Sequence, residues 1–117
     1  DDSAFASIDA FAFAGTMDVR ADVNRLRLRL HAGVCLAEVH GEVHTFEAYS
    51  SGLSRVDASA VSAQEAYINQ SGIQPLSFRS SEYAYVTIQT DGSVYGGPNP
   101  PTSYDFDQIG AGQLIWQ

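Results

Sequence analysis

The sequence predicts an all-β protein, namely a small closed antiparallel β-barrel of about eight strands with one short α-helix between its halves. Two observations support this fold class. Apolar and polar residues alternate along several segments, and glycine-containing turn signals separate those segments. Successive side chains of a strand point to opposite faces, so the alternation indicates strands buried on one face. The length of 117 residues fits a single domain over 1–117.

The clearest strand is the segment VNRLRLRLH at 23–31, in which leucines and arginines alternate. Leu26, Leu28 and Leu30 are expected to face the interior. A second strand is EYAYVTIQT at 82–90, whose inward residues would be Ala84, Val86 and Ile88. Its aromatic and β-branched residues favour a strand. Both segments therefore present a polar or aromatic face to solvent.

The turns and the helix are predicted from local signals. Thr90-Asp91-Gly92 and Gly110-Ala111-Gly112 lie between apolar segments and favour hairpin turns. The segment DASAVSAQEAYINQSG at 57–72 lacks the alternation and contains good helix formers. Ser62 and Glu65 have the spacing of a capping box, and Gly72 would end the helix.

Composition and charge exclude several classes of function. The formal net charge is −8, and all six basic residues are arginine. Such an acidic chain repels nucleic-acid phosphates, so no nucleic-acid partner is expected. The longest apolar segment is far shorter than the roughly 20 residues of a spanning helix, so no transmembrane segment is expected. The first residue is aspartate, which fits a secreted chain that has lost a leader.

The segment HGEVHTFEAYSSGLS at 40–54 raises the question of a metal site. On one unbroken strand, Glu38, His40, Glu42 and His44 would share a face and could bind zinc. If Gly41 and Glu42 instead form a tight turn, the two histidines point to opposite sides. We therefore expect no metal and no cofactor, with His40 and His44 as weak candidates only.

Five outward residues are the candidate surface contacts: Arg25, Arg27, Arg29, Tyr83 and Tyr85. The arginines could bind an anionic headgroup, a sulfated sugar or an acidic patch on a partner. Alternatively, they are paired across strands with nearby carboxylates, for which the candidates are Asp18, Asp22, Glu38 and Glu47. No motif in the sequence specifies catalysis, and we expect no enzymatic activity.

Several motifs resemble the virulence-associated proteins, the Vap family of actinobacterial macrophage pathogens. They are Phe46-Glu47, Ser51-Gly52-Leu53, the segment SAQEAYINQ, the segment LSFRSSEYAYVTIQTDGSVYGG at 76–97 and the ending GAGQLIW at 110–116. The resemblance covers about residues 38–117. It implies a secreted, eight-stranded antiparallel barrel with one helix, no catalytic residues and a role in survival inside host phagosomes.

Three functions follow from these observations. The first is a secreted, extracellular, non-enzymatic Vap-like virulence factor that acts as a monomer on a host membrane lipid or a host protein. The second is a lipocalin- or avidin-like barrel that holds a small apolar ligand, which the alanine-rich segment AFASIDAFAFAG at 4–15 would favour. The third is a metal-dependent enzyme that uses Glu38, His40, Glu42 or His44.

Overall fold

The computed structural model describes residues 5–11, 14–20, 22–97 and 100–116. All regular secondary structure in these residues is β-strand, and every pairing between the strands is parallel. The strands are β1 (Phe5–Phe11), β2 (Ala14–Arg20), β3 (Val23–Gly52), β4 (Arg55–Gly72), β5 (Leu76–Ser77), β6 (Tyr83–Ile88), β7 (Val94–Tyr95), β8 (Ser103–Gln108) and β9 (Leu114–Ile115).

The chain winds into a β-solenoid of about five turns. In most of it, each residue pairs with the residue 20 positions further along, as Phe5 does with Arg25. One coil is shorter, because Glu65 pairs with Tyr83, 18 positions later. Successive coils begin at Phe5, Arg25, Thr45, Glu65, Tyr83 and Ser103, and we number them one to six. The sixth coil is incomplete.

Inward side chains from successive coils stack into columns. One column runs through Ala6, Leu26, Phe46, Ala66, Ala84 and Tyr104. Leu26, Phe46 and Ala84 are each no more than 1% exposed. Phe46 is the largest buried residue of this column and has alanine beside it in the next coil. The small Ala66 and Ala84 follow the large Leu26 and Phe46 along the axis, and together they fill the narrow interior at close packing.

The corners of the solenoid bring backbones together. Ala32 and Gly52 both have left-handed φ angles, 53° and 73°. A Cβ atom on Gly52 would lie 3.0 Å from the Cα atom of Ala32. Ser51 Oγ accepts the Ala32 N–H at 2.9 Å and donates to the Leu30 carbonyl at 3.1 Å. These contacts fix the third coil directly on the second, and glycine is favoured where the chain turns.

The prediction of a closed antiparallel barrel is wrong, because the strands pair in parallel and form a solenoid. The predicted hairpin at Gly41 is wrong as well. β3 continues through Gly41, whose φ of 142° bends the strand without reversing it. A coil corner and a hairpin turn use the same kinds of residue, so local turn signals do not distinguish the two.

The helix predicted at 62–70 is also wrong, because this segment lies within β4. Ala66, Ile68 and Gln70 are buried at alternating positions, Ala63 is buried as well, and these side chains fill the interior columns. Alanine is a good helix former, but here its small size is what the column requires. Tertiary packing therefore overrides the local helix preference.

Buried Gln70 stabilises the corresponding corner of the next coil, at residues 70–74. Its side chain is fully buried, and its Nε2 atom donates to the Gln74 carbonyl at 2.7 Å. Its Oε1 atom accepts the Gly72 N–H at 3.1 Å. A polar residue in the apolar column is tolerated because it satisfies backbone groups that the corner leaves unpaired.

Among the described residues, the solenoid encloses no barrel lumen for an apolar ligand. Phe46 and Phe78 are both 0% exposed and fill the space between the walls of the solenoid. The lipocalin-like alternative therefore loses the cavity that it required. Among the described residues, no helix has the length and apolarity needed to cross a membrane. The single domain over 1–117 stays a prediction.

Candidate functional site

The five sequence-predicted contact residues lie on one outward face of the solenoid. This face, which we call the Arg–Tyr face, consists of the outward side chains of segments 5–9, 25–29, 45–49, 65–69, 83–87 and 103–107. The register connects the arginine-bearing and tyrosine-bearing segments: β1 pairs with β3, β3 with β4, and β4 with β6. Arg25, Arg27 and Arg29 belong to the second coil, whereas Tyr83 and Tyr85 belong to the fifth. The solenoid thus unites two segments that are far apart in sequence.

A groove of about 450 Å³ lies on this face. It runs across coils two to five, and its lining includes Arg27, Arg29, His31, Tyr49, Tyr67, Asn69, Tyr85 and Thr87. Tyr67 and Tyr85 are 38% and 39% exposed, so their rings are accessible from the groove. Tyr49, Tyr67, Asn69 and Thr87 are functional candidates that the sequence reasoning missed.

Glu47 partly neutralises the arginine row. Its Oε2 atom lies 3.4 Å from Arg27 Nε and 3.9 Å from Arg25 Nε. The prediction that Glu47 pairs with the row is therefore confirmed for these two arginines. Arg29 has no carboxylate within 4.0 Å in the described part of the chain. It is the one arginine of the row without an ion pair among the described residues, although Asp9 lies opposite it in register on the first coil.

Two of the other proposed partners of the arginine row, Asp18 and Asp22, are engaged elsewhere. Asp18 lies 3.6 Å from Arg20 and 3.7 Å from His40, and Asp22 accepts the Glu42 N–H at 2.9 Å. These contacts draw the two carboxylates away from the groove. Glu47 is therefore the acid that sets the charge of the groove lining.

Aromatic rings continue along the face. His31 stacks on Phe11 with ring centroids 4.5 Å apart, and the Tyr49 ring lies 5.2 Å from His31 on the next coil. Tyr67 and Tyr83 are 6.0 Å apart, and the guanidinium carbon of Arg27 lies 5.3 Å from the Phe5 ring centroid. These contacts order the side chains around the groove before any ligand binds.

Two tyrosine hydroxyls on the face donate to carboxylates. Tyr83 donates to Asp105 Oδ2 at 2.7 Å, and this hydrogen bond raises the pKa of Tyr83 to about 12. Tyr67 donates to Glu65 Oε1 at 3.1 Å. Burial, and then this hydrogen bond, raise the pKa of Tyr67. Both hydroxyls therefore remain protonated at physiological pH and act as neutral hydrogen-bonding groups.

The weak metal candidates are not brought together. His40 Nε2 lies 3.7 Å from Asp18 Oδ1, whereas His44 Nε2 lies 4.0 Å from Glu65 Oε2. The partners of the two histidines thus lie in opposite directions along the solenoid axis, Asp18 on the first coil and Glu65 at the start of the fourth. Within the described ranges, no group of three or more histidine, cysteine, aspartate and glutamate side chains is arranged to bind a metal ion.

A second cavity, of about 590 Å³, lies elsewhere on the solenoid. Its lining includes Glu42, Gln64, Arg79, Ser80 and Gly97. It contains none of the sequence-predicted contact residues, and it combines a single guanidinium with a single carboxylate. The groove of the Arg–Tyr face is therefore the better candidate site.

Comparison with known proteins gives one match. The family model described as "Putative auto-transporter adhesin, head GIN domain" matches residues 7–100. The searches of curated proteins and of solved structures each found no match. The comparisons thus give no support to the Vap resemblance, and the barrel that it implied is wrong. Because the match covers most of the 117 residues, the chain belongs to the family described as "Putative auto-transporter adhesin, head GIN domain".

Proposed function

We propose that this chain is an extracellular adhesin head domain that binds a target on another surface through the Arg–Tyr face, without catalysing a reaction. The observation that carries this proposal is the convergence of Arg27 and Arg29 with Tyr67 and Tyr85 around one groove, with Arg25 and Tyr83 beside it on the same face. The family match supports the adhesive and extracellular role. A host membrane lipid and a host protein remain candidate targets.

The structure of the face suits binding. Parallel strands hold outward side chains of neighbouring coils about 4.8 Å apart, so the face is rigid over its whole length. A preformed face loses little conformational entropy when a ligand binds. Tyrosine and arginine are also the residues that most often dominate binding energy at protein interfaces.

The groups in the groove favour contact over chemistry. The raised pKa of Tyr67 keeps its hydroxyl neutral in the groove, the raised pKa of Tyr83 does the same beside it, and the Glu47 carboxylate lies against Arg27. A nucleophile would need an adjacent base to activate it, and these groups are held instead in pairs that stabilise the face. The absence of catalytic activity remains part of the proposal.

Adhesion of the purified domain to cultured host cells tests this function. The double variant Arg29→Gln/Tyr85→Ala removes one charge and one ring from the groove and should weaken adhesion about tenfold or more. The matched control is Arg55→Gln/Tyr95→Ala, which makes the same changes outside the groove lining. Equal adhesion by both variants and the unaltered domain, with thermal melting confirming that all are folded, would refute the proposal.

A further inference from the structure

We infer that the ligand of the groove is an anionic glycan, an oligosaccharide that carries carboxylate or sulfate groups. This inference rests on the proposed function and specifies the chemistry of its target. Three features of the groove support it: a local positive charge, accessible tyrosine rings and hydrogen-bonding groups without partners.

The charge of the groove is opposite to that of the chain. The formal net charge of the protein is −8, yet the groove lining contains Arg27 and Arg29 against the single carboxylate of Glu47. Arg29 has no carboxylate within 4.0 Å in the described ranges. A guanidinium binds a carboxylate or sulfate through two parallel hydrogen bonds. An anion is therefore favoured at Arg29, although the rest of the surface repels it.

Acidic side chains limit how far this positive region extends. On the same face, Asp9 lies on the first coil, and Asp105 and Asp107 lie on the sixth. These carboxylates flank the groove at both ends of the solenoid axis. A broad anionic surface such as a membrane would meet them, whereas one narrow chain can lie between them. This charge distribution favours a glycan over a lipid bilayer.

The tyrosines suit sugar rings. Tyr67 and Tyr85 belong to adjacent coils and pair in register, and both rings are more than one third exposed. An aromatic ring offers a flat apolar surface with a polar hydroxyl at one end. The C–H face of a pyranose ring can pack on such a surface while its hydroxyl groups bond to polar neighbours.

Asn69 provides a polar neighbour of this kind. Its Oδ1 atom accepts a hydrogen bond from Ser71 Oγ at 3.1 Å. In the described part of the chain its side-chain amide nitrogen makes no hydrogen bond, so two N–H donors are available at the groove. Thr87 pairs with Asn69 on the next coil and adds a hydroxyl. These groups can bond to sugar hydroxyls that water would otherwise solvate.

Calorimetric titration of the purified domain with three oligosaccharides of matched length tests the inference. One is uncharged, one is carboxylated and one is sulfated. We expect the uncharged compound to bind at least about tenfold more weakly than the better anionic one, and anionic binding to weaken with added salt. The ratio of the two anionic affinities distinguishes a carboxylated from a sulfated ligand.

Variants identify the groups that are responsible. Arg29→Gln should reduce anionic binding about tenfold or more and leave the uncharged compound unaffected. Tyr67→Ala should weaken all three compounds, whereas Tyr67→Phe should retain most of the affinity because it keeps the ring. Arg55→Gln is the matched control and should bind as the unaltered domain does. Tyr67→Phe and Arg29→Gln remain informative if Tyr67→Ala does not fold.

The outcomes separate this inference from the proposed function. Equal affinity for the three compounds, or no effect of Arg29→Gln, overturns the inference. It is also overturned if cell adhesion requires Arg29 and Tyr85 but only lipid vesicles or a protein compete for it, in which case the proposed function stands. If adhesion does not depend on these residues, the proposed function itself fails.

Discussion

The middle coils and the last coil of the solenoid place equivalent residues in different surroundings. Ala84 and Val86 on the fifth coil are 0% exposed, whereas Tyr104 and Phe106, which pair with them on the sixth, are 49% and 38% exposed. The two segments occupy the same positions of the repeat. Burial in this fold therefore depends on having a neighbouring coil on both sides, as expected when each unit contacts only the next.

The largest expected effect is the loss of a large side chain from the middle. Phe46→Ala should lower the free energy of unfolding by about 3–5 kcal/mol, because Phe46 is fully buried and neighbouring coils cannot collapse into the cavity. Phe106→Ala, the matched change on the last coil, should cost about 1 kcal/mol, because this ring already contacts solvent. Urea unfolding monitored by circular dichroism measures both. Equal losses of unfolding free energy in the two variants would contradict the proposed difference in burial between the middle coils and the last coil.

A smaller effect is expected at the corner between the second and third coils. Gly52→Ala should cost about 1–2 kcal/mol, because φ at Gly52 is 73° and the new methyl group would meet the Ala32 backbone. Ala32→Gly relieves the same strain on the other coil and should increase stability by about 0.5 kcal/mol after the added freedom of the unfolded chain is counted. Urea unfolding of the two variants should therefore shift in opposite directions. Shifts of the same sign would show that the corner is not strained as described.

The smallest effect concerns the contact between the fifth and sixth coils. The hydrogen bond from Tyr83 to Asp105 raises the pKa of Tyr83 to about 12. A raised pKa means that the contact stabilises the fold below the unfolded pKa of about 10, and that this stabilisation is lost as the pH rises from there toward 12. Asp105→Asn should bring the pKa of Tyr83 down, as measured by the ultraviolet absorbance of tyrosinate. An unchanged titration would indicate that the last coil does not lie against the fifth in solution.

The strands and their inward residues could be predicted from the sequence. Leu26, Leu28 and Leu30 are each 1% exposed, as the alternation with arginine predicts. The direction of pairing could not be predicted from alternation, because side-chain period two is the same in parallel and antiparallel sheets. The prediction of a helix at 62–70 was wrong because the alanines that favour a helix are also the residues that fit the narrow interior columns of β4.

One signal in the sequence could have identified the solenoid. Gly52, Gly72, Gly92 and Gly112 recur every 20 residues, and a fixed period of this length is typical of repeat architectures. Aligning the chain at that spacing places Arg27, Glu47 and Tyr67 in one row. Part of the groove could then have been predicted, but not Tyr85, which pairs with Tyr67 at a spacing of 18. The ion pair between Glu47 and Arg27 depends on side-chain geometry that spacing does not provide.

The twenty-residue return of the chain also bears on how such domains change over evolutionary time. Duplication or loss of one complete coil leaves the path of every other coil unchanged, because each coil pairs only with its direct neighbours. The length of the molecule, and with it the number of contact points offered to a polymeric target, is thus a property that a single in-frame duplication can alter. Relatives that differ in length by multiples of this unit would carry the same face, extended or shortened by one row at a time.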